Sequence, residues 1–260
     1  MYKILCHIDD ELELINNRVN KELIINKAGT VSSYAHLEFS HLDSIIRPAV
    51  VVLSAKVFDY KKEPTITFAS IIQLIYMGTK AHAHITEMDT QPGIDLDPRD
   101  GCQYPVLVGD YLYGKTFRLL VDTGLVRYLG PLAEMICHIS EGCTLQCQLA
   151  NANVTAASDY ALEIVRKETA ELFGRCSSIA ADINGAAKEQ IEQMYDFGVN
   201  FGCGYGLLQR GNASQEEINI YFNRALETLK SLAPSDGQQQ LTELTELLKQ
   251  EEIILRRMVG

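Results

Sequence analysis

No stretch of the 260 residues is apolar for long enough to cross a bilayer. The longest runs, such as Ala49-Val50-Val51-Val52-Leu53, fall far short of the roughly 20 residues a helical span requires. Basic residues are scarce as well. Twenty-three Lys and Arg stand against 34 Asp and Glu, a formal net charge of −11. Nucleic acids and anionic lipid surfaces both reward clustered cations, so neither is expected as a direct partner, whereas an apolar ligand in a pocket is compatible. Asp9, Asp10, Glu11 and Glu13 interrupt any signal-peptide core. The seven cysteines form no C-x-x-C pair, so reduced thiols in a cytoplasmic setting are the expectation. Linkers rich in Pro, Gly or Ser are missing too, which leaves a single domain over 1–260.

What the sequence does contain is helical periodicity. Apolar residues at Ile4, Leu5, Ile8, Leu12 and Ile15 share one face, and predict a helix from Tyr2 to Ile15. Asp43 and Ser44 read as caps of a second helix with Arg47-Pro48 in its first turn, running to about Phe58. A third runs from Pro64-Thr65 to His84 or Met88. Residues 89–105, with Pro92, Gly93, Pro98, Gly101 and Pro105, read as a loop. Further helices are expected at 106–122, 125–150, 156–180, 187–208, 214–232 and 236–258, with Asp159, Ser214 and Ser235 as caps. No strand-like alternation recurs. The fold class is all-α, an antiparallel helix bundle with short connections.

Five short blocks carry a resemblance. They are Ile46-Arg47-Pro48-Ala49-Val50-Val51-Val52-Leu53-Ser54-Ala55, Val106-Leu107-Val108-Gly109-Asp110-Tyr111-Leu112, Ile139-Ser140-Glu141-Gly142-Cys143-Thr144-Leu145-Gln146, the helix Tyr160–Phe173, and Phe197-Gly198-Val199-Asn200-Phe201-Gly202. In that order they are similar to blocks of the trans-polyprenyl diphosphate synthase family. The resemblance implies an isoprenoid-synthase-like bundle. It also implies a chemistry in which Mg²⁺, held by two DDxxD motifs, binds the diphosphate of an allylic substrate while isopentenyl diphosphate attacks the cation.

Where the family carries those motifs, this chain reads Ala83-His84-Ile85-Thr86-Glu87 and Gln209-Arg210-Gly211-Asn212-Ala213. Glu87 is the one carboxylate among these ten residues. Gly206 takes the place of the family's glutamine before the second motif, and the bundle is expected to be truncated after that motif. The family's Gly-Gly-Lys-Arg-x-Arg-Pro stretch reads Leu42-Asp43-Ser44-Ile45-Ile46-Arg47-Pro48, and its arginine pair reads Arg99-Asp100. The lysine of its Lys-Thr-Ala segment falls on Glu168, with Lys167 one residue away. Losing one preorganised electrostatic group costs about 10²–10³ in rate, so loss of these ligands is expected to abolish catalysis. No catalytic residue and no metal ligand are assigned. Arg47, Arg99 and Lys167 stand as residual diphosphate-binding candidates. Arg47 has a competing role in a salt bridge at the helix start.

His82, His84 and Glu87 invite a metal reading, but residues two apart on a helix diverge, and Zn²⁺ needs further ligands. Cys137, Cys143 and Cys147 beside His138 read more simply as small buried hydrophobes. The tail Glu243–Arg257 reads as a solvated helix face.

The resemblance therefore implies a non-catalytic, supporting subunit of a polyprenyl diphosphate synthase, partnered by a catalytic synthase-like subunit or by itself as a homodimer. Mg²⁺ would enter only through the catalytic partner. Two alternatives stand beside this: an isoprenoid-binding protein that uses the family's apolar tunnel, and an active prenyltransferase of unusual chemistry around His82, His84 and Glu87. Assembly is expected through helices 106–122 and 125–150, whose apolar residues outnumber what one buried face can hold. Leu120 is the outward position expected to face the partner.

Overall fold

The computed structural model describes residues 5–25, 29–31, 39–83, 103–151, 157–211 and 213–250. Among them the chain is a helix bundle. α1 spans Asp9–Glu22 and is preceded by a 3₁₀ turn, Cys6–Ile8. Residues 2–4 of the helix expected over Tyr2–Ile15 lie outside the described residues, and α1 runs on past Ile15 to Glu22. Asp9, Asp10 and Glu11 occupy its first turn, where carboxylates meet the positive end of the helix dipole. A two-residue hairpin follows, β1 (Ile24–Ile25) paired antiparallel with β2 (Gly29–Thr30).

α2 (His41–Lys56) and α3 (Lys62–Ala83) form the buried centre. Every residue from Ile46 to Ala55 is buried, as is every residue from Thr65 to Gly78. The start of α2 corrects the sequence reading. Its cap is Ser40, whose Oγ accepts from the Asp43 N–H at 3.0 Å. Asp43 and Ser44 thus lie inside the helix, and Pro48 lies two turns in rather than in the first turn. The shift frees the Asp43 side chain to turn inward.

α4 (Gln103–Asp122) lies on α3, and a 3₁₀ turn at Val126–Tyr128 leads into α5 (Leu129–Asn151). Residues 103–105, expected in a loop, are the first turn of α4, where Pro105 needs no N–H partner. The sequence suggests one helix over 156–180. Instead α6 (Ala157–Val165) passes through a π-helical turn, Arg166–Ala170, into α7 (Glu171–Ile183). α8 (Lys188–Arg210) packs along α7 so closely that a Cβ at Gly198 would overlap the Phe173 carbonyl oxygen. α9 (Gln215–Lys230) is capped by Ser214, as expected, and Ser214 forms a capping box with Glu217. α10 (Asp236–Gln250) begins where the Ser235 Oγ accepts from the Gln238 N–H, and it packs against α2 and α9. Residues 251–258 of the expected last helix lie outside the described residues, as do His84 to Met88 of the expected third.

Candidate functional site

The ends of α2, α3 and α8 meet the π-helical turn around a polar cleft of about 360 Å³. Phe39, Asp43, Tyr76, Lys80, Glu168, Thr169, Gly206, Gln209 and Arg210 line it. Two glycines let the π turn reach it. A Cβ on Gly142 of α5 would lie 2.8 Å from Glu168 Cγ, and one on Gly206 of α8 would lie 2.7 Å from Val165 Cγ1. A π turn inserts one residue into the helical register and is common where function needs a side chain re-aimed. Here it presents Glu168 and Thr169 to the cleft.

Asp43 is the hub of one wall. Its carboxylate accepts from the Ser40 hydroxyl at 2.7 Å, the Tyr76 hydroxyl at 3.0 Å and Gln209 Nε2 at 3.4 Å. Arg47 Nη1 lies 3.6 Å away. Burial alone would raise this carboxyl's pKa, but the Ser40 hydrogen bond, the Arg47 charge and the Tyr76 and Gln209 hydrogen bonds outweigh it and hold the pKa below 3.8. The Tyr76 hydroxyl is pushed up to about 12, first by burial, with the Asp43 charge adding to the effect.

The other wall is closed by Arg210. It donates to Glu168 Oε2 at 2.7 Å and to Gln146 Oε1 of α5 at 2.9 Å. α8 ends immediately afterwards at Gly211, whose φ of +65° is the left-handed conformation that suits glycine. Four residues later α9 begins.

The candidate diphosphate ligands do not come together. Arg47 is 3% exposed, beneath the cleft, with Cζ 3.3 Å from the Tyr76 ring centroid and Nη1 donating to the Asp43 carbonyl at 3.2 Å. Lys167 stands outside the cleft lining and pairs with Glu141 at 2.6 Å. Arg99 lies outside the described residues. So do His84 and Glu87, while His82 turns toward Asp110 at 3.2 Å. Among the described residues no three of His, Cys, Asp and Glu converge as a metal site would require. Cys137 and Cys147 are exposed, not the buried hydrophobes their surroundings suggested, and only Cys143 is partly buried. Sequence reasoning missed the roles of Asp43, Tyr76, Lys80 and Phe39. The Asp43–Arg47 spacing of four was a visible signal; Tyr76, within an apolar run, offered none.

The bundle centre below the cleft is filled. Phe173 meets Phe201 at 5.1 Å and Tyr205 at 5.5 Å, while Phe201 stacks on Tyr205 and abuts Phe222. Arg47 Cζ caps this cluster 5.8 Å from the Phe173 centroid.

On the far side, α4 shows solvent an apolar stripe. Leu107, Phe117 and Val121 are exposed, as are Val106 on the same helix and Val126 and Leu129 beyond its end. The apolar surplus expected on 106–150 shows mainly on α4, since Leu129 is the one large apolar residue of α5 exposed among the described residues, and one expected position is corrected. Leu120 is fully buried in the protomer's own core, together with Leu132, Met135 and Ile139. It therefore cannot face a partner.

Residues 97–208 match the family model described as polyprenyl synthetase. The octaprenyl diphosphate synthase of Escherichia coli (strain K12) is 27% identical over 165 residues, which cover 63% of this chain and 51% of that protein. The chain thus spans about half the length of that relative. The fold matches a crystal structure of a decaprenyl diphosphate synthase from Rhodobacter capsulatus at a TM-score of 0.78, with 18% identity over 96% of this chain and 98% of the other. It also matches the small subunit of geranyl diphosphate synthase from Antirrhinum majus at 0.70, with 16% identity over 94% and 98%. Among the described residues no helix is long and apolar enough to cross a membrane.

Proposed function

We propose that this chain, a relative of the polyprenyl synthetases with their all-α fold, acts as a non-catalytic supporting subunit of a polyprenyl diphosphate synthase. The end of α8 carries the reading. At the position of the second aspartate motif it offers an amide and a guanidinium, and these close onto Asp43 and Glu168 of the chain itself. Mg²⁺ takes oxygen ligands, preferably carboxylates and water. Among the described residues both carboxylates lining the cleft are already engaged by a guanidinium, and Arg210 would repel a cation, so these residues do not fit Mg²⁺. The sequence Ala83-His84-Ile85-Thr86-Glu87 points the same way for the first motif.

A fold kept without its chemistry needs another use, and the α4 stripe supplies one. A chain of this fold serves as a small subunit in Antirrhinum majus. Obligate interfaces are more apolar than ordinary surface, which suits Leu107, Phe117 and Val121. Isolated chain, given isopentenyl diphosphate and an allylic primer, should form no product above a blank without protein. Affinity purification from the native cell should bring down a synthase carrying two intact DDxxD motifs. Turnover by the isolated chain would end the reading.

A further inference from the structure

A second cleft opens between α1, α2 and α3, with a volume of about 550 Å³. That is within the roughly 300–1,000 Å³ of small-molecule sites. Leu12, Ile15 and Val19 of α1 form one wall, and Ile45, Pro48 and Met77 face them. Among the described residues no lysine or arginine lines it, while Asp9 and His41 do, so they offer an anion no permanent positive charge. Gln73 lines it too, 5% exposed. Its Nε2 donates to the Asp43 carbonyl at 3.3 Å, which fixes the orientation of the amide. Its Oε1 is buried without a hydrogen-bond partner, an acceptor that a hydroxyl donor would complete.

Phe39 lines both this cleft and the polar one, and stands 5.8 Å from Tyr76 as the wall between them. Beyond Phe39 the polar cleft carries Asp43 and Glu168 against Lys80 and Arg210. Among the described residues formal charges cancel there, so they do not offset the surplus charge of a diphosphate. The bundle centre is occupied by Arg47, Tyr76, Phe173 and Tyr205, all buried. An apolar chain finds room on the outer side of α2 instead.

We propose that the cleft between α1, α2 and α3 binds a neutral single-chain amphiphile, an aliphatic alcohol, with its hydrocarbon along Leu12, Ile15 and Val19 and its hydroxyl at the Gln73–Phe39 end. The site goes beyond the subunit role and involves neither turnover nor a partner chain, so the two stand or fall separately. Calorimetric titration of the full chain with farnesol, dodecanol and farnesyl diphosphate tests it. The alcohols should bind at least tenfold more tightly than the diphosphate. A preference for farnesol identifies a branched isoprenoid source, and a preference for dodecanol a straight acyl-type source. Leu12→Trp, which fills the cleft, and Asn16→Trp, at an exposed rim position, should each weaken alcohol binding about tenfold while circular dichroism stays unchanged. The rim variant keeps the test valid if the first fails to fold. Tighter binding of the diphosphate, alcohol affinity unmoved by the folded variants, or no alcohol binding at all would each overturn the proposal.

Discussion

α3 and α4 are neighbours of similar apolar content, yet only α3 hides nearly all of it. α1, α2, α4, α5 and α7 enclose α3, and its residues from Thr65 to Gly78 are buried without a break. α4 packs chiefly on α3, so Val108, Leu112 and Leu120 go inside while Leu107 and Val121 remain 56% and 63% exposed. An apolar count says how much surface wants covering, not which chain covers it. One substitution on the two faces of α4 separates these cases. Leu120→Glu places a charge in the core with no partner and should destabilise the chain by about 4 kcal/mol, close to unfolding it. Leu107→Glu should change stability by no more than about 0.5 kcal/mol but abolish any self-association or partner capture, read by light scattering and pull-down. If both variants fold equally well, the assignment of the faces is wrong.

The cleft and the seam of α8 against α6 and the π turn offer the next contrast. Gly206→Gln, which puts a glutamine where the resemblance expects one, drives a side chain into Val165 Cγ1 and Thr169. Overpacking of this kind costs about 1–3 kcal/mol, and thermal unfolding should show it. An unchanged melting temperature would mean that the π turn can yield. Arg210→Ala sharpens the comparison at the cleft itself. The Arg210 and Glu168 side chains are 25% and 18% exposed, so solvent screens the pair in part, and the loss should be about 1–2 kcal/mol. The companion change Glu168→Gln in the Arg210→Ala background should recover part of it. A double-mutant cycle with no coupling would show that the Arg210–Glu168 pair does not close this wall of the cleft.

Much of the bundle was legible in the sequence because helical faces repeat locally. The apolar runs of α2 and α3 and the Ser214 and Ser235 caps could be found from neighbouring residues alone. The site was harder. Asp43 reads as a cap because capping is a local act, whereas its Tyr76 and Gln209 partners lie 33 and 166 residues away. Lys167 and Glu168 could not be told apart without the π turn, since one inserted residue decides which of them enters the cleft. Leu120 and Leu107 look alike in sequence, and the contact with α3 tells them apart.

The smallest expected effect concerns the acid side of stability and compares Asp43 with the ion pairs at the surface. Asp43 has a folded pKa below its ordinary 3.8 because Ser40, Arg47, Tyr76 and Gln209 together outweigh burial. A depressed carboxyl binds its proton less readily in the folded chain than in the unfolded one. Its contribution is therefore complete above about pH 4 and is lost as pH falls through the folded value. Glu141 and Glu217 are also depressed, by Lys167 and by the Ser214 backbone N–H respectively, and they persist in any Asp43 variant. Asp43→Asn should thus leave a residual acid slope and remove only the part that belongs to the hub. Urea midpoints of both proteins between pH 5 and pH 2.5 should converge as the pH drops, with the parent more stable at pH 5 by about 1 kcal/mol or less. Midpoints that run parallel over the whole range would show that the Asp43 carboxylate contributes shape but not charge, and the cleft would then need a different account of what holds Gln209 across it.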